Sequence, residues 1–319
     1  MMKYQIKLFI AFFLLAFTTQ LHAQKRLSLN YYAEDVLNKI GVTASQKEQI
    51  KTIRSELDTN LSETRNNTNL NSEEKATKDK QAYNNAFVKY NAVLSSEQQK
   101  IVRRLLHEIQ VENVKNGFAT FHESAHFKKR MEVFKENPLA TNGIVFLGNS
   151  ITERGQWETL FPNKPVFNRG IGGDNTYGVL ARLDEVIASK PEKIFLMIGI
   201  NDLGSRQWEI ALILENYNKI IDKIRAGTPK SKLYVQSVLP LNDSLLKANT
   251  YKNKADTIIK LNKELQIIGK KKCAGFIDLY SVFHSGNHVL DAKYTKDGIH
   301  LLPEGYVVWK DFLEKNKYL

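Results

Sequence analysis

From residue 144 onward, short apolar runs alternate with amphipathic stretches, and this alternation restricts the fold more than any other feature of the chain. Strand candidates span residues 144–147, 166–168, 194–198, 233–238 and 276–279, and helical patterns span 179–187, 210–224 and 258–265. Such an order implies right-handed crossovers and a parallel sheet covered by helices on both faces. The sequence therefore predicts an α/β fold in which ligands bind at the carboxyl ends of the strands.

Polar and glycine residues follow three of the predicted strands, and a further polar group lies near the C-terminus. The four groups are Gly148-Asn149-Ser150, Gly170-Ile171-Gly172-Gly173-Asp174, Gly199-Ile200-Asn201-Asp202 and Asp297-Gly298-Ile299-His300. A parallel sheet brings the ends of its strands to one edge, so we expect the first three groups to lie close together.

These groups contain the parts of a serine hydrolase. A serine hydroxyl is a weak nucleophile unless a base takes its proton, and His300 is the natural base for Ser150. Asp297 can reach back to the imidazole and orient it. The negative charge on the carbonyl oxygen of the substrate needs fixed donors, which the backbone N–H groups of Ser150 and Gly173 and the Asn201 amide can supply.

The four groups, in this order, resemble the SGNH (GDSL-like) hydrolase superfamily over residues 127–319. The resemblance implies a three-layer, flavodoxin-like sandwich, with Ser150 as nucleophile, Gly173 and Asn201 as oxyanion donors, and Asp297 and His300 as acid and base. The segment 167–174 is similar to the platelet-activating-factor acetylhydrolase-like and sugar O-acetylesterase-like branch, which favours short acyl groups. The resemblance to the superfamily also implies catalysis without a metal or organic cofactor.

One position departs from the family pattern, because Asn149 stands where the family has Asp. Asn keeps the size and hydrogen-bonding capacity of Asp without its charge, so the local geometry is expected to persist. The candidate substrate contacts are Asn149, Asp174, Trp157 and Trp208. For the two tryptophans a place in the core is the alternative.

A second catalytic pattern occurs at His122-Glu123-Ser124-Ala125-His126, which matches the H-E-x-x-H pattern of zinc proteases. A metzincin would continue with Gly at position 129 and His at position 132, where this chain has Lys129 and Glu132. We interpret the segment as a polar lead-in to the hydrolase domain. If His300 were dispensable, His284 or His288 would be the next candidate base.

The region from residue 24 to 118 has the composition of helices, with no Pro and one internal Gly between residues 33 and 116. Three start signals pair a capping residue with an amide or acid three positions later: Thr43 with Gln46, Asn71 with Glu74, and Ser95 with Gln98. They predict three helices in a small bundle or hairpin. Each helix has one apolar stripe at helical spacing: Ile50, Ile53, Leu57 and Leu61; Tyr83, Ala86, Phe87 and Tyr90; and Ile101, Leu105 and Ile109. Segments 42–50 and 94–102 are faintly similar to the LTxxQ stretches of Spy/CpxP-type stress proteins, and an oligomerisation or spacer bundle is the alternative.

Residues 1–23 have the pattern of a secretory signal peptide, with Lys3 and Lys7 before a short apolar run and Leu21-His22-Ala23 before Gln24. The run is too short to span a bilayer, so we expect a secreted or periplasmic protein without stable membrane insertion. Removing both lysines leaves 44 basic and 34 acidic residues, a net charge of +10. These charges are dispersed, which disfavours nucleic-acid binding. The single cysteine, Cys273, excludes an intramolecular disulfide.

The sequence thus predicts a signal peptide (1–23), a helical region (24–118), a lead-in (119–142) and a hydrolase domain (143–319). We expect a serine esterase that removes short acyl groups, chiefly O-acetyl groups, from sialic acid or from cell-wall or plant polysaccharides. A lysophospholipase or an acetyl-phospholipid esterase is the alternative enzyme. A non-catalytic envelope binding or stress protein, with a partner or self-association through the helical region, is the alternative of another class.

Overall fold

The computed structural model describes residues 28–115, 124–204, 208–272 and 274–319. The predicted signal peptide, His122 and Glu123 of the H-E-x-x-H pattern, and Cys273 lie outside the described residues.

The helical region contains α1 (Glu34–Ile40), α2 (Ala44–Asn66), α3 (Ser72–Val93) and α4 (Ser96–Lys115). The three predicted start signals are present, because Thr43 and Asn71 form capping boxes and Ser95 exchanges hydrogen bonds with Gln98. Helix α1 was not predicted; it ends at Gly41, whose positive φ of 71° favours glycine.

The two capping glutamines also join the segments that resemble each other in sequence. The Gln46 and Gln98 side-chain amides exchange hydrogen bonds of 2.9 and 3.0 Å. Gln46 Nε2 also donates to the Val93 carbonyl, and Gln98 Nε2 donates to the Gly41 carbonyl. The same residues therefore begin two helices and bind these helices to each other.

The predicted apolar stripes are right for α2 and only partly right for α3 and α4. In α2 the four predicted residues Ile50, Ile53, Leu57 and Leu61 are buried, whereas Tyr83, Phe87 and Ile101 in the later helices are exposed. The buried residues of α4 include Val102 and His107 instead. The reason is that α4 contacts α1 of its own region and also α8 (Thr176–Ala181) of the hydrolase domain.

Polar side chains fix this contact between α4 and the hydrolase domain. The buried His107 forms a hydrogen bond with the Tyr177 hydroxyl, and Arg104 Nη1 lies 2.9 Å from Glu215 Oε2. Partial burial opposes ionisation of Glu215, but hydrogen bonds from His107, Lys219 and Arg104 lower its pKa to about 2. The Glu215 carboxylate is therefore ionised at neutral pH.

The lead-in forms α5 (Ala125–Glu136), and the strands form a parallel sheet of order β2-β1-β3-β4-β5. Its strands are β1 (Ile144–Gly148), β2 (Val166–Gly170), β3 (Lys193–Met197), β4 (Lys232–Gln236) and β5 (Gly275–Ile277). Beyond them, β6 (His284–Ser285) and β7 (Val289–Leu290) form a small antiparallel hairpin. The predicted α/β class and the five predicted strands are thus confirmed.

Helices flank the sheet: α6 (Ser150–Glu153), α7 (Trp157–Leu160), α8, α9 (Leu183–Ala188), α10 (Ile200–Leu203), α11 (Ile210–Gly227), α12 (Ala255–Lys271), α13 (Tyr280–Phe283) and α14 (Pro303–Lys315). The helical pattern predicted over 179–187 is divided between α8 and α9. Within the described ranges, no helix combines the length and the apolar character needed to cross a membrane.

An aromatic row crosses one face of the sheet. Phe146, Phe195 and Tyr234 occupy paired positions on β1, β3 and β4, with ring centroids 4.9 and 5.1 Å apart. Trp157 of α7 stacks on Phe146 at 3.9 Å, and Trp309 of α14 meets Trp157 edge to face. Large rings of this kind bury much apolar area and pack best offset or edge to face, so the row anchors both helices to the sheet.

Strand β2 and helix α6 approach so closely that only glycine fits between them. A Cβ atom at Gly170 would overlap the backbone of Glu153, which cannot move aside as a flexible side chain could. We expect Gly170→Ala to lower the free energy of unfolding by about 1 to 3 kcal/mol, measured by urea denaturation. The matched control is Gly286→Ala, where a Cβ would meet nothing within 4 Å. Equal stability of the two variants would contradict the close packing.

Candidate active site

Ser150 is the first residue of α6, directly after the end of β1. A Cβ atom at Gly148 would overlap Thr152 Oγ1 and the Met197 carbonyl, so the turn requires glycine there. The Asn149 side chain accepts a hydrogen bond of 3.0 Å from the Ile151 N–H and caps the helix. A neutral amide oxygen serves this purpose as a carboxylate would, which explains how the turn forms without the family's Asp.

The structure brings Ser150, His300 and Asp297 together in a chain of hydrogen bonds. Ser150 Oγ lies 2.9 Å from His300 Nε2, and His300 Nδ1 lies 2.6 Å from Asp297 Oδ2. Asp297 Oδ1 also accepts the backbone N–H groups of Ile299 and His300. The carboxylate therefore fixes both the ring and the backbone of the base.

A tight turn aligns Asp297 with His300. Gly298 has a positive φ of 81°, and a Cβ there would overlap the Asn242 carbonyl. The Gly298 N–H donates to Thr295 Oγ1, and its carbonyl accepts the Asn242 N–H. The turn is thus held against the chain that follows β4.

The Asp297 carboxyl is ionised at neutral pH. Partial burial alone would raise the pKa of its carboxyl, but hydrogen bonds from His300 and Ile299 lower it to about 2. Arg154 Nη1 lies 3.8 Å from Asp297 Oδ2, although this pair is half exposed. An ionised Asp297 retains the proton on His300 Nδ1 and leaves Nε2 as the acceptor facing Ser150.

The loop after β2 contains Gly173, with a φ of 78°, followed by the fully buried Asp174. Arg182 pairs with Asp174 Oδ2 at 2.8 Å and also donates to the carbonyls of Gly148 and Arg169. The Asp174 carboxylate therefore holds the loop in place from inside the protein.

Asn201 lies in α10, after the end of β3, and its amide binds both an acceptor and a donor. Its Nδ2 donates to the Asp174 carbonyl at 2.8 Å, and its Oδ1 accepts the Tyr251 hydroxyl at 2.8 Å. Sequence reasoning did not identify Tyr251, because it is 50 positions from Asn201 and belongs to none of the four groups.

The neighbouring Asp202 is also fully buried. Its carboxylate accepts the backbone N–H of Thr176 at 3.2 Å and the Thr176 hydroxyl at 2.5 Å. Complete burial raises the pKa of Asp202 to about 7, although the hydrogen bonds from Thr176 act in the opposite direction. Asp202 thus links α10 to α8 beneath the candidate site.

The four residues predicted as substrate contacts are all buried. Asn149 and Asp174 are inside the protein, where they hold the turns described above. Trp157 belongs to the aromatic row and donates its Nε1 to the Thr152 carbonyl. Trp208 is buried between His107 and Tyr177. All four side chains therefore have structural contacts inside the protein, and their role as substrate contacts stays a prediction.

His126 also has a structural partner. Its Nε2 lies 3.0 Å from Glu153 Oε2, and Glu153 also accepts the Gly172 N–H and contacts Arg130 at 3.3 Å. Across the described ranges, no three His, Cys, Asp or Glu side chains are grouped so that they could hold a metal ion. His284 and His288 lie on the β6–β7 hairpin, where their rings face each other at 5.0 Å.

Two neighbours of the triad residues lie on the wall of a small cavity of about 220 Å³. Arg154, which approaches Asp297, lies on its wall, as does Leu301, the residue after His300. The remaining wall combines polar and apolar side chains from α7, α14 and the residues beside them: Gln156, Thr159, Leu160, Pro303, Tyr306 and Val307.

A serine, a histidine and an aspartate aligned at the strand ends of a parallel sheet define a serine hydrolase arrangement. The model of the GDSL-like Lipase/Acylhydrolase family matches residues 146–308, and the chain belongs to this family. Membership makes the chain an ester hydrolase and confirms the resemblance to the SGNH superfamily.

Three curated relatives are similar to this chain, and about a quarter of the aligned residues are identical in each case. The platelet-activating factor acetylhydrolase IB subunit alpha2 of Rattus norvegicus is 28% identical over 51% of this chain and 70% of its own length. The acetylxylan esterase of Geobacillus stearothermophilus is 25% identical over 45% and 67%. The N-acylneuraminate cytidylyltransferase of Escherichia coli O18:K1:H7 is 27% identical over 53%, but the match spans only 39% of that protein.

Among solved structures, a Bacteroides fragilis NCTC 9343 protein described as an acylhydrolase is similar, with a TM-score of 0.54 and 26% identity. The match covers 61% of this chain and 98% of the other. The similarity therefore extends over nearly the whole of that structure.

Asp202 should make the stability of the protein depend on pH in a defined direction. Its pKa of about 7 in the folded protein exceeds the value of about 3.9 in an unfolded chain, so the folded state binds the proton more tightly. Its contribution to the free energy of unfolding should be fully present below about pH 4 and be lost as the pH rises through 7. Urea unfolding at several pH values should show this loss of the free energy of unfolding in the wild type and not in Asp202→Asn. Identical profiles would contradict it.

Proposed function

We propose that this chain is a serine esterase that removes short acyl groups, chiefly O-acetyl groups, from carbohydrates. The observation that carries the proposal is the continuous hydrogen-bonded chain from Ser150 Oγ through the His300 ring to Asp297, with distances of 2.9 and 2.6 Å. A partly buried serine that faces an imidazole held by a carboxylate has the arrangement of a nucleophile, its base and the acid that orients the base.

In the proposed reaction, Ser150 Oγ attacks the ester carbonyl carbon while its proton passes to His300 Nε2. The carbonyl oxygen becomes an oxyanion, which accepts hydrogen bonds from the backbone N–H groups of Ser150 and Gly173 and from the Asn201 amide. As the intermediate collapses, the bond to the alcohol breaks and His300 gives the proton to the leaving oxygen. Water then attacks the acyl-serine by the same steps, and the carboxylic acid leaves.

Asp297 contributes through its charge and its position. Its low pKa keeps it ionised, so it stabilises the imidazolium that forms when His300 takes the serine proton. The two backbone N–H groups that bind its other oxygen prevent the carboxylate from turning away. The base therefore needs no rearrangement between the two halves of the reaction.

The preference for acetyl groups on sugars rests on the relatives and on the cavity. Both the acetylhydrolase subunit and the acetylxylan esterase act on acetyl esters by name. The cavity of about 220 Å³, whose wall includes Arg154 near Asp297 and Leu301 next to His300, has a size suited to a small substrate group. Its polar residues Arg154, Gln156 and Thr159 supply groups that can bind sugar hydroxyls. An acetyl-phospholipid is the competing substrate, which the acetylhydrolase relative favours.

Replacing the nucleophile tests the reaction. We expect Ser150→Ala to lower kcat for p-nitrophenyl acetate by about 10³-fold or more, because the acyl-enzyme cannot form. Turnover by the wild type should fall with increasing acyl length and be insensitive to EDTA. The matched control, Ser285→Ala on the exposed β6–β7 hairpin, should keep the wild-type rate.

Each other outcome of this experiment has a definite meaning. Wild-type rates in Ser150→Ala would refute the role of Ser150 as nucleophile. Turnover that is lost with EDTA would favour a zinc site at His122 and His126. Acetate release from acetylated xylan, O-acetylated sialic acid and an acetyl-phospholipid then separates the substrates. Release from the phospholipid alone would overturn the carbohydrate proposal.

We also propose that the chain is exported and cleaved after Ala23, on the basis of the charged and apolar pattern of residues 1–23. Intact-mass analysis of protein from the expressing cells should give a mature chain that begins at Gln24. A charge in the apolar run, Phe13→Arg, should block export and processing, whereas Ser28→Arg beyond the cleavage site should change neither. A full-length chain retained inside the cell would contradict the proposal.

A further inference from the structure

We propose that Tyr251 is a positioning residue that orients the Asn201 carboxamide toward the substrate oxyanion. The inference rests on the role given to Asn201 in the proposed function. None of the four sequence groups contains Tyr251, and the hydroxyl reaches Asn201 from the segment between β4 and α12.

The two hydrogen bonds of Asn201 determine which way its amide points. The Asp174 carbonyl can only accept, so the atom 2.8 Å from it must be the amide nitrogen. Oδ1 is then the atom that faces the Tyr251 hydroxyl at 2.8 Å, and the hydroxyl donates to it. One contact at each end of the planar amide fixes its rotation about the Cβ–Cγ bond, which is otherwise a soft torsion.

This rotation decides where the second N–H of Asn201 points. One hydrogen of Nδ2 is directed at Asp174, and the plane of the amide sets the direction of the other. An oxyanion donor acts well only when it is aimed before the charge develops, because no free energy is then spent on reorientation. The Tyr251 hydrogen bond also draws electron density toward Oδ1, which strengthens the N–H groups as donors.

Gly204 provides the space for the Tyr251 ring. It follows α10 directly, three positions after Asn201, and a Cβ atom there would overlap the ring of Tyr251. The ring therefore lies against the backbone that carries Asn201, with its hydroxyl at the amide. Gly204 has a negative φ, which any residue can adopt, so its backbone conformation does not require glycine. The Tyr251 ring, which leaves no room for a Cβ atom, does require it.

The test is a double-mutant cycle on p-nitrophenyl acetate with Tyr251→Phe, Asn201→Ala and their combination. Asn201→Ala should lower kcat by about 10²- to 10³-fold. Tyr251→Phe removes only the hydroxyl and should lower kcat by about tenfold, the effect of one orienting hydrogen bond, with KM within about twofold. In the Asn201→Ala background the same change should have no further effect, because the residue through which it acts is gone.

Tyr234→Phe is the matched control, since Tyr234 is also partly buried and its ring packs on Phe195 in the sheet. This variant should keep the wild-type kcat. An equal tenfold loss in Tyr251→Phe with and without Asn201 would overturn the inference. A rise in KM alone would mean that Tyr251 contacts substrate, which would overturn it as well.

A measurement without turnover separates this inference from the proposed function. The side-chain NH₂ signals of Asn201 in a ¹⁵N–¹H spectrum are identified by their loss in Asn201→Ala. They should shift in Tyr251→Phe and stay in place in Tyr234→Phe, whatever the enzyme hydrolyses. Unmoved signals would refute the contact. A shift together with an unchanged kcat in Asn201→Ala would refute the oxyanion role of Asn201, and with it the catalytic value of the contact.

Discussion

The buried ion pair between Arg182 and Asp174 is the interaction on which the candidate site depends. Arg182 binds the Asp174 carboxylate and the carbonyls of Gly148 and Arg169, while the backbone carbonyl of Asp174 accepts the Asn201 amide. The guanidinium thereby connects the ends of β1 and β2, and Asp174 connects it to Asn201 beyond β3. Removing one partner of such a pair would leave a buried charge without compensation, which typically costs about 3 to 5 kcal/mol. The turn that carries Ser150 and the loops that carry Gly173 and Asn201 therefore share one support.

The parts of the fold that could be predicted are those whose cause is local in sequence. Each of the five strands begins and ends within two residues of its predicted bounds, because an apolar run between turn residues determines a buried strand. The three helix starts depend on side chains three positions apart. Ser150 could be chosen because parallel topology brings strand ends to one edge, and Asp297 and His300 because three residues of chain let the carboxylate reach the imidazole. The hydrogen-bonding distances between these three side chains could be obtained only from the structure.

What could not be predicted depends on contacts between distant segments. Periodicity marks which face of a helix is apolar, but not that α4 would bury His107 against Tyr177 on α8. Proximity in sequence made Asp174 and Trp157 candidate substrate contacts, whereas an ion pair and an aromatic row place them in the interior. Tyr251 could not be selected, since only the chain path after β4 brings it to Asn201.

The helical region and the active-site support meet on the same short helix. Tyr177 of α8 contacts His107 of α4, and the adjacent Thr176 binds Asp202, which follows Asn201. Burial lowers the pKa of His107, so this contact favours the neutral ring, while Glu215 beside it stays ionised. The contact is therefore built from specific polar groups and not from apolar area alone. A spacer that only separated two domains would need no such groups at the helix that binds Asp202, next to Asn201.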